Sequence, residues 1–201
     1  MSIRLSPRTR RPSPRVRLVA ATATALLAMG GLSACELDEP TTEKASSSSG
    51  AEAKGSGGGK GKGGGQAEKG PRAAGDTAVY GDKGLKVTVA APAPFTPGAY
   101  AAGHKQANQA YKVKVTLENT GSGKLDTELV SVGARQGEAG ETTAGIFDGE
   151  NVGAGFSGKL LPGRKATATY GFDATKAAKN LDIEVSVNDF ETEPAQWSLT
   201  L

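Results

Sequence analysis

The chain of 201 residues carries 24 Lys and Arg against 21 Asp and Glu, but six of its arginines fall within the first 17 residues. Beyond them 18 basic side chains meet 21 acidic ones with no basic patch, which excludes a protein that tracks a nucleic-acid backbone. A single cysteine excludes an intramolecular disulfide, so any folded part must rest on its apolar core.

The first predicted element, residues 1–34, has the three-part order of an export signal. Arg4, Arg8, Arg10, Arg11, Arg15 and Arg17 precede an apolar stretch from Leu18 to Leu32, and small residues follow. The stretch is shorter than the roughly 20 residues of a spanning helix and is interrupted by Thr22, Thr24 and Gly30-Gly31. Pro12-Ser13-Pro14 after Arg10-Arg11 argues against the twin-arginine route and for the general secretory one. Leu32-Ser33-Ala34-Cys35 resembles the lipobox of bacterial lipoproteins. The resemblance implies a diacylglyceryl group on Cys35 and cleavage between Ala34 and Cys35. Two acyl chains at about 0.8 kcal/mol per buried methylene hold a protein on a bilayer. The expected location is therefore the extracytoplasmic face of the cell membrane, with the lipid on Cys35 as the contact to it.

Residues 35–75 read as a disordered linker behind the lipidated N-terminus. Ser46 to Ser49 form a serine run, Gly50 to Gly75 contain 11 glycines, and no hydrophobic periodicity is present. As a random coil such a tether spans on the order of 35 Å. Gly59-Lys60-Gly61-Lys62-Gly63-Gly64 matches a dinucleotide-type pattern by letter only, since neither a strand before it nor a helix after it is predicted.

Residues 76–201 alternate with period two. Leu85, Val87 and Val89 predict one strand, and Tyr111, Val113, Val115 and Leu117 another. Leu129 to Val132 predict a shorter strand, and Ile146-Phe147 lie in a further candidate. Ala166, Ala168, Tyr170 and Phe172 predict the next, then Leu181 to Val187, and Trp197, Leu199 and Leu201 close the chain. The one predicted helix is short, around Ala174 to Lys179. Turn residues separate the runs, at 119–123, 137–140, 148–149 and 162–163. One polar and one apolar face on each of about seven strands predict an all-β fold, an immunoglobulin-like antiparallel β-sandwich, with a closed barrel as the alternative.

The strand ending Val115-Thr116-Leu117-Glu118-Asn119-Thr120-Gly121 and the run Gly158-Lys159-Leu160-Leu161-Pro162-Gly163-Arg164 leading into Ala168 to Asp173 carry a resemblance. Together they are similar to the immunoglobulin-like domain of unknown function found in secreted proteins and lipoproteins of Gram-positive bacteria. The likeness covers residues 84 to 200. It implies that the Asn ends a central strand and that the Leu-Pro-Gly turn starts a late one, and it brings no active site. The Arg-rich signal and the Ala- and Gly-rich composition resemble actinobacterial lipoproteins.

Chemistry-bearing patterns are sparse. His104 has no second His or Cys with which to hold zinc and is expected to be a solvated loop residue. Asp189, Glu191 and Glu193 could supply oxygens to calcium, but a solvated strand face accounts for them equally well. No catalytic residue, metal or cofactor is predicted. The long loop bearing Phe95, Tyr100 and His104 is the candidate binding surface, because rigid sandwiches carry function on loops. The expected function is a non-catalytic binding module, anchored by lipid, for an unknown protein or envelope partner. A cell-envelope hydrolase and an accessory ligand-binding protein of a transport system are the alternatives.

Overall fold

The computed structural model describes residues 38–45 and 70–201. Leu32, Ser33, Ala34 and Cys35, the rest of the expected export signal, and the Gly-rich tract 46–69 lie outside the described residues. Among the described residues no helix is long and apolar enough to cross a membrane.

The chain builds an immunoglobulin-like β-sandwich from antiparallel strands. One sheet contains β1 (Thr41–Glu43), β2 (Thr77–Tyr80), β3 (Leu85–Val89), β4 (Ala93–Pro94) and β5 (Gln109–Asn119). A short pair follows: β6 (Leu125–Asp126) leads into a 3-10 turn (Thr127–Leu129), and its partner β10 (Lys159–Leu160) comes later in the chain. Between them lie β7 (Val130–Gln136), β8 (Glu141–Thr142) and β9 (Ala144–Ile146), and the chain ends with β11 (Lys165–Ala174), β12 (Asn180–Val187) and β13 (Ala195–Thr200). The first sheet has the order β1-β2-β3-β5-β11-β9, with β4 also on β5, and the second has the order β13-β12-β7-β8. The two sheets are not hydrogen-bonded into one ring, which excludes the closed barrel.

Alternation decides which side chains meet between the sheets. Val87, Val89, Val113, Val115, Leu117 and Phe172 from the first sheet pack in one cluster with Leu181, Ile183, Val185, Trp197 and Leu199 from the second. Every second residue of β12 is buried, and the same holds for β13. Trp197 is fully buried, and its indole N–H donates to the Asp76 carbonyl at 3.0 Å, so the largest side chain of the core is also polar-satisfied. Tyr80 is buried the same way, its hydroxyl donating to the Glu193 carbonyl at 2.9 Å, and burial pushes its phenol well above the usual value.

The two motifs behind the family resemblance meet in space. Asn119 ends β5, is 2% exposed, and donates from its side-chain nitrogen to the Gly123 and Leu160 carbonyls, each at 2.8 Å. Its side-chain oxygen accepts from the Gly121 N–H, its backbone N–H donates to the Arg164 carbonyl, and its carbonyl accepts from Gly163. One buried amide thereby ties the Leu-Pro-Gly turn to the end of a central strand, and it leaves no group of its own unmet.

Three expectations are corrected. No helix forms at Ala174 to Lys179: Ala174 completes β11 by pairing with Gln109, and the residues after it form a turn in which Thr175 N–H donates to Gln136 Oε1 at 2.7 Å. A run of six residues is too short to offset helix nucleation against a strand pairing already available. The strand expected from Leu129 begins at Val130 and runs on to Gln136, while Leu129 ends the 3-10 turn capped by the Asp126 carboxylate.

The third concerns the boundary of the domain. Residues 38–45 and 70–75, expected in the disordered linker, are part of the fold. β1 pairs with β2, from Thr41 opposite Val79 to Glu43 opposite Thr77. Arg72 joins the edge of β13: its N–H donates to the Gln196 carbonyl and its own carbonyl accepts from Ser198. Its guanidinium is buried, donates to the Pro40 and Thr41 carbonyls at 2.7 and 3.3 Å, and stands 5.5 Å from the centre of the Trp197 ring. The Asp76 carboxylate accepts from the Ala45 and Ala73 N–H groups at 2.9 and 3.0 Å. Burial pushes its pKa up, but these bonds and Lys44 outweigh it and hold the pKa below the ordinary value. Polar groups of the main chain and a stacked cation hold these segments, which is why hydrophobic periodicity gives no sign of them.

Candidate functional site

The ends of the sandwich differ. At one end are the β2–β3 turn and the β12–β13 turn, joined by Lys83, which pairs with Asp189 at 3.2 Å and Glu191 at 2.5 Å. The loops from Phe95 to Asn108 and from Phe147 to Gly155 gather at the other end, where β5 begins and β11 finishes.

Two carboxylates pin the second end. Asp173, near the end of β11 with its side chain 2% exposed, accepts from Asn108 Nδ2 at 2.6 Å and from the Lys105 N–H at 3.3 Å. His104 Nδ1 lies 2.7 Å from its Oδ1. His104 is thus not the solvated residue expected from the sequence: its side chain is 24% exposed and anchors the loop. Its Nε2 has no hydrogen-bond partner among the described residues, so the pair can orient an imidazole but presents no hydroxyl nucleophile to it.

Asp148 staples the two loops together. Its Oδ2 accepts from the Gly98 N–H and Asn151 Nδ2, each at 2.9 Å, and its Oδ1 from the Glu150 N–H at 3.0 Å. The Gly98 bond is the largest of the effects that pull its pKa down to about 2. Ala102 and Phe147 exchange two backbone hydrogen bonds of 2.9 Å. Gly103 beside them has φ +89°, and a Cβ there would lie 2.1 Å from the Gly145 carbonyl oxygen, so only glycine permits this approach. Beneath the loops, Ile146 and Val152 are buried on the outer face of β11 against Gly171.

On this braced frame the aromatic residues face outward. Tyr100 is fully exposed and Phe147 is 72% exposed, while Phe95 is half-buried with its N–H bonded to the Ala110 carbonyl. Of the three residues predicted for the binding loop, the structure leaves Tyr100 exposed and ties His104 to Asp173 and Phe95 to Ala110. Phe147 was missed by sequence reasoning, which assigned it to a strand. An aromatic residue directly before an Asp-Gly turn is the signal that could have found it.

A hollow of about 310 Å³ lies over the outer face of the second sheet and is bounded by Gly133, Arg135, Asp182, Glu184, Gln196 and Ser198 among others. Several of its polar groups already pair with one another. Ser198 donates to Asp182 at 2.6 Å and Gln196 to Glu184 at 3.1 Å, so a ligand must displace these bonds. Among the described residues no cluster of three or more His, Cys, Asp or Glu is placed to hold a metal ion. Asp189 directs its oxygens to Thr192, to the Glu191 N–H and to Lys83.

Comparison with known proteins agrees on the fold. The yjhA protein of Bacillus subtilis superposes with a TM-score of 0.53 at 15% identity, over 64% of this chain and 99% of its own. The ycdA protein of Bacillus subtilis, a candidate lipoprotein, gives a TM-score of 0.47 at 12% identity over 59% of this chain. The match spans only 37% of ycdA. No curated protein matches the chain. A family model described as a domain of unknown function, DUF4352, matches residues 75–195, more than half of the chain.

Proposed function

The chain belongs to the DUF4352 family, and on that premise we propose that it is a lipid-anchored, extracytoplasmic binding module without catalytic activity. Its partner, a protein or a component of the cell envelope, docks at the end that carries Tyr100 and Phe147. The observation that carries this reading is the exposure of those two aromatic side chains on loops braced by Asp173, Asp148 and a glycine-only contact. Exposed aromatics on a rigid frame bind at low entropic cost, because little is left to order on association. Attachment rests on Leu32-Ser33-Ala34-Cys35, whose resemblance to a lipobox puts the lipid on Cys35.

Two measurements test the halves separately. Metabolic labelling with radioactive palmitate is expected to label the wild-type chain and not Cys35→Ala, and a wild-type chain that takes up no label would refute the lipid anchor. Crosslinking on intact cells is expected to capture a partner that the double variant Tyr100→Ala, Phe147→Ala loses by tenfold or more. Turnover of peptidoglycan or of a glycan panel, abolished by His104→Ala, would replace the non-catalytic reading with a hydrolase.

A further inference from the structure

The docked segment before the Gly-rich tract changes what the lipid anchor does. Asp38 N–H donates to the Glu191 carbonyl at 2.9 Å, and the Asp38 carbonyl accepts from Glu193 at 3.2 Å, so the chain is fixed to the β12–β13 turn from residue 38 onward. From there β1 runs along β2, with Arg72 clamped over Pro40 and Thr41. Between Cys35 and Asp38 stand only Glu36 and Leu37. Three Cα steps reach at most about 11 Å. The tract 46–69 lies between two docked segments, so its length adds nothing to that reach.

The end of the sandwich that receives Asp38 holds one large apolar side chain with no packing. Phe190 is 96% exposed and sits at φ 63°, a left-handed conformation rarely held by a non-glycine residue. Its neighbours enforce it: Asp189 Oδ1 accepts from the Glu191 and Thr192 N–H groups, each at 3.0 Å, and Thr192 Oγ1 donates to Oδ2 at 2.7 Å. Lys83 pairs with both flanking carboxylates, leaving the ring at the apex. Tyr100 and Phe147 stand at the opposite end, beyond the length of β5, whose 11 residues extend roughly 34 Å.

We propose that the Phe190 end of the sandwich rests on the lipid bilayer, with the ring entering its interfacial layer, and that the domain stands with Tyr100 and Phe147 directed away. This rests on the lipid anchor proposed above. The short leash supplies the proximity and the exposed ring supplies the apolar contact, so a bilayer surface is the occupant the geometry favours over a soluble partner at this end.

The test uses the lipidated full chain in phosphatidylcholine vesicles containing a doxyl-labelled quencher lipid. With the Cys35 thiol alkylated, an introduced cysteine is the one reactive thiol, and an environment-sensitive dye is placed at Glu193→Cys or, at the far end, at Ala99→Cys. Quenching of several-fold is expected at 193 and none at 99, and adding Phe190→Ser is expected to lower the quenching at 193. Equal quenching at both positions, or none at either while the protein stays on the vesicles, would overturn the proposal and leave the anchor standing. So would quenching at 193 that Phe190→Ser does not change. A wild-type chain that floats free of vesicles sinks the anchor reading itself, a result separable from the others by flotation alone.

Discussion

Asp148 shows how one carboxylate can hold an irregular loop pair in a single arrangement. Its three bonds of 2.9–3.0 Å all favour the charged form, which holds its pKa at about 2 against an ordinary value of 3.8. The folded state therefore binds fewer protons than the unfolded chain between these values. The stabilisation is fully present above about pH 4 and is lost as the pH falls through 2. In Asp148→Asn, the amide nitrogen can only donate, so one of the two oxygens that accept from Gly98, Asn151 and Glu150 is lost and a donor is set against a donor. The variant is expected to melt a few degrees lower at pH 7, with the gap to wild type closing as both are titrated from pH 4 to pH 2. Thermal melts followed by circular dichroism across that range check it, and a gap constant with pH would show that Asp148 is not the group responsible.

Among the elements, legibility follows the kind of force that holds each one. The strands that bury alternate side chains, β3, β5 from Val113 on, β12 and β13, stand in the sequence as period-two runs because burial wrote the pattern. β1 cannot be read that way. Thr41-Thr42-Glu43 buries no apolar side chain and is held by pairing to β2 and by Arg72, whose partner carbonyls are 31 and 32 residues away in sequence. The candidate site was legible in part for the same reason. Tyr100 could be named from its loop, but the buried Asp173 that makes His104 a brace lies 69 residues from it, and no local pattern joins them. If Arg72 clamps β1, Arg72→Ala should raise the exchange rate of the β1 amides by about tenfold to a hundredfold. That is the weight of losing charge-assisted bonds of roughly 1.5–3 kcal/mol. The amides of β12, central in the other sheet, should keep their protection. Hydrogen exchange with mass spectrometry resolves the two regions, and parallel losses in both would mean that Arg72 supports the whole core instead.

For the whole molecule, the division of labour is between two ends and two edges. The loop end is braced by Asp173 and Asp148, the Phe190 end receives Asp38, and the docked segments close the edges on one side of the sandwich: β1 along β2, and Arg72 beside β13. An uncovered edge strand presents unpaired N–H and C=O groups to any neighbouring chain. A chain beginning at Gly70 removes β1 from the edge of β2 while keeping Arg72 and every core strand from β2 to β13. It leaves β2 open, and it strips the buried Arg72 guanidinium of the Pro40 and Thr41 carbonyls, a loss of about 3 kcal/mol by the worth of such bonds. The shortened domain should therefore still fold, because its apolar cluster is intact, yet unfold at lower urea and associate as its concentration rises. Urea titration by Trp197 fluorescence and light scattering over a concentration series measure both effects. A monomer with an unchanged midpoint would show that residues 38–45 are passengers on the fold, and the short leash between Cys35 and the domain would then have no structural basis.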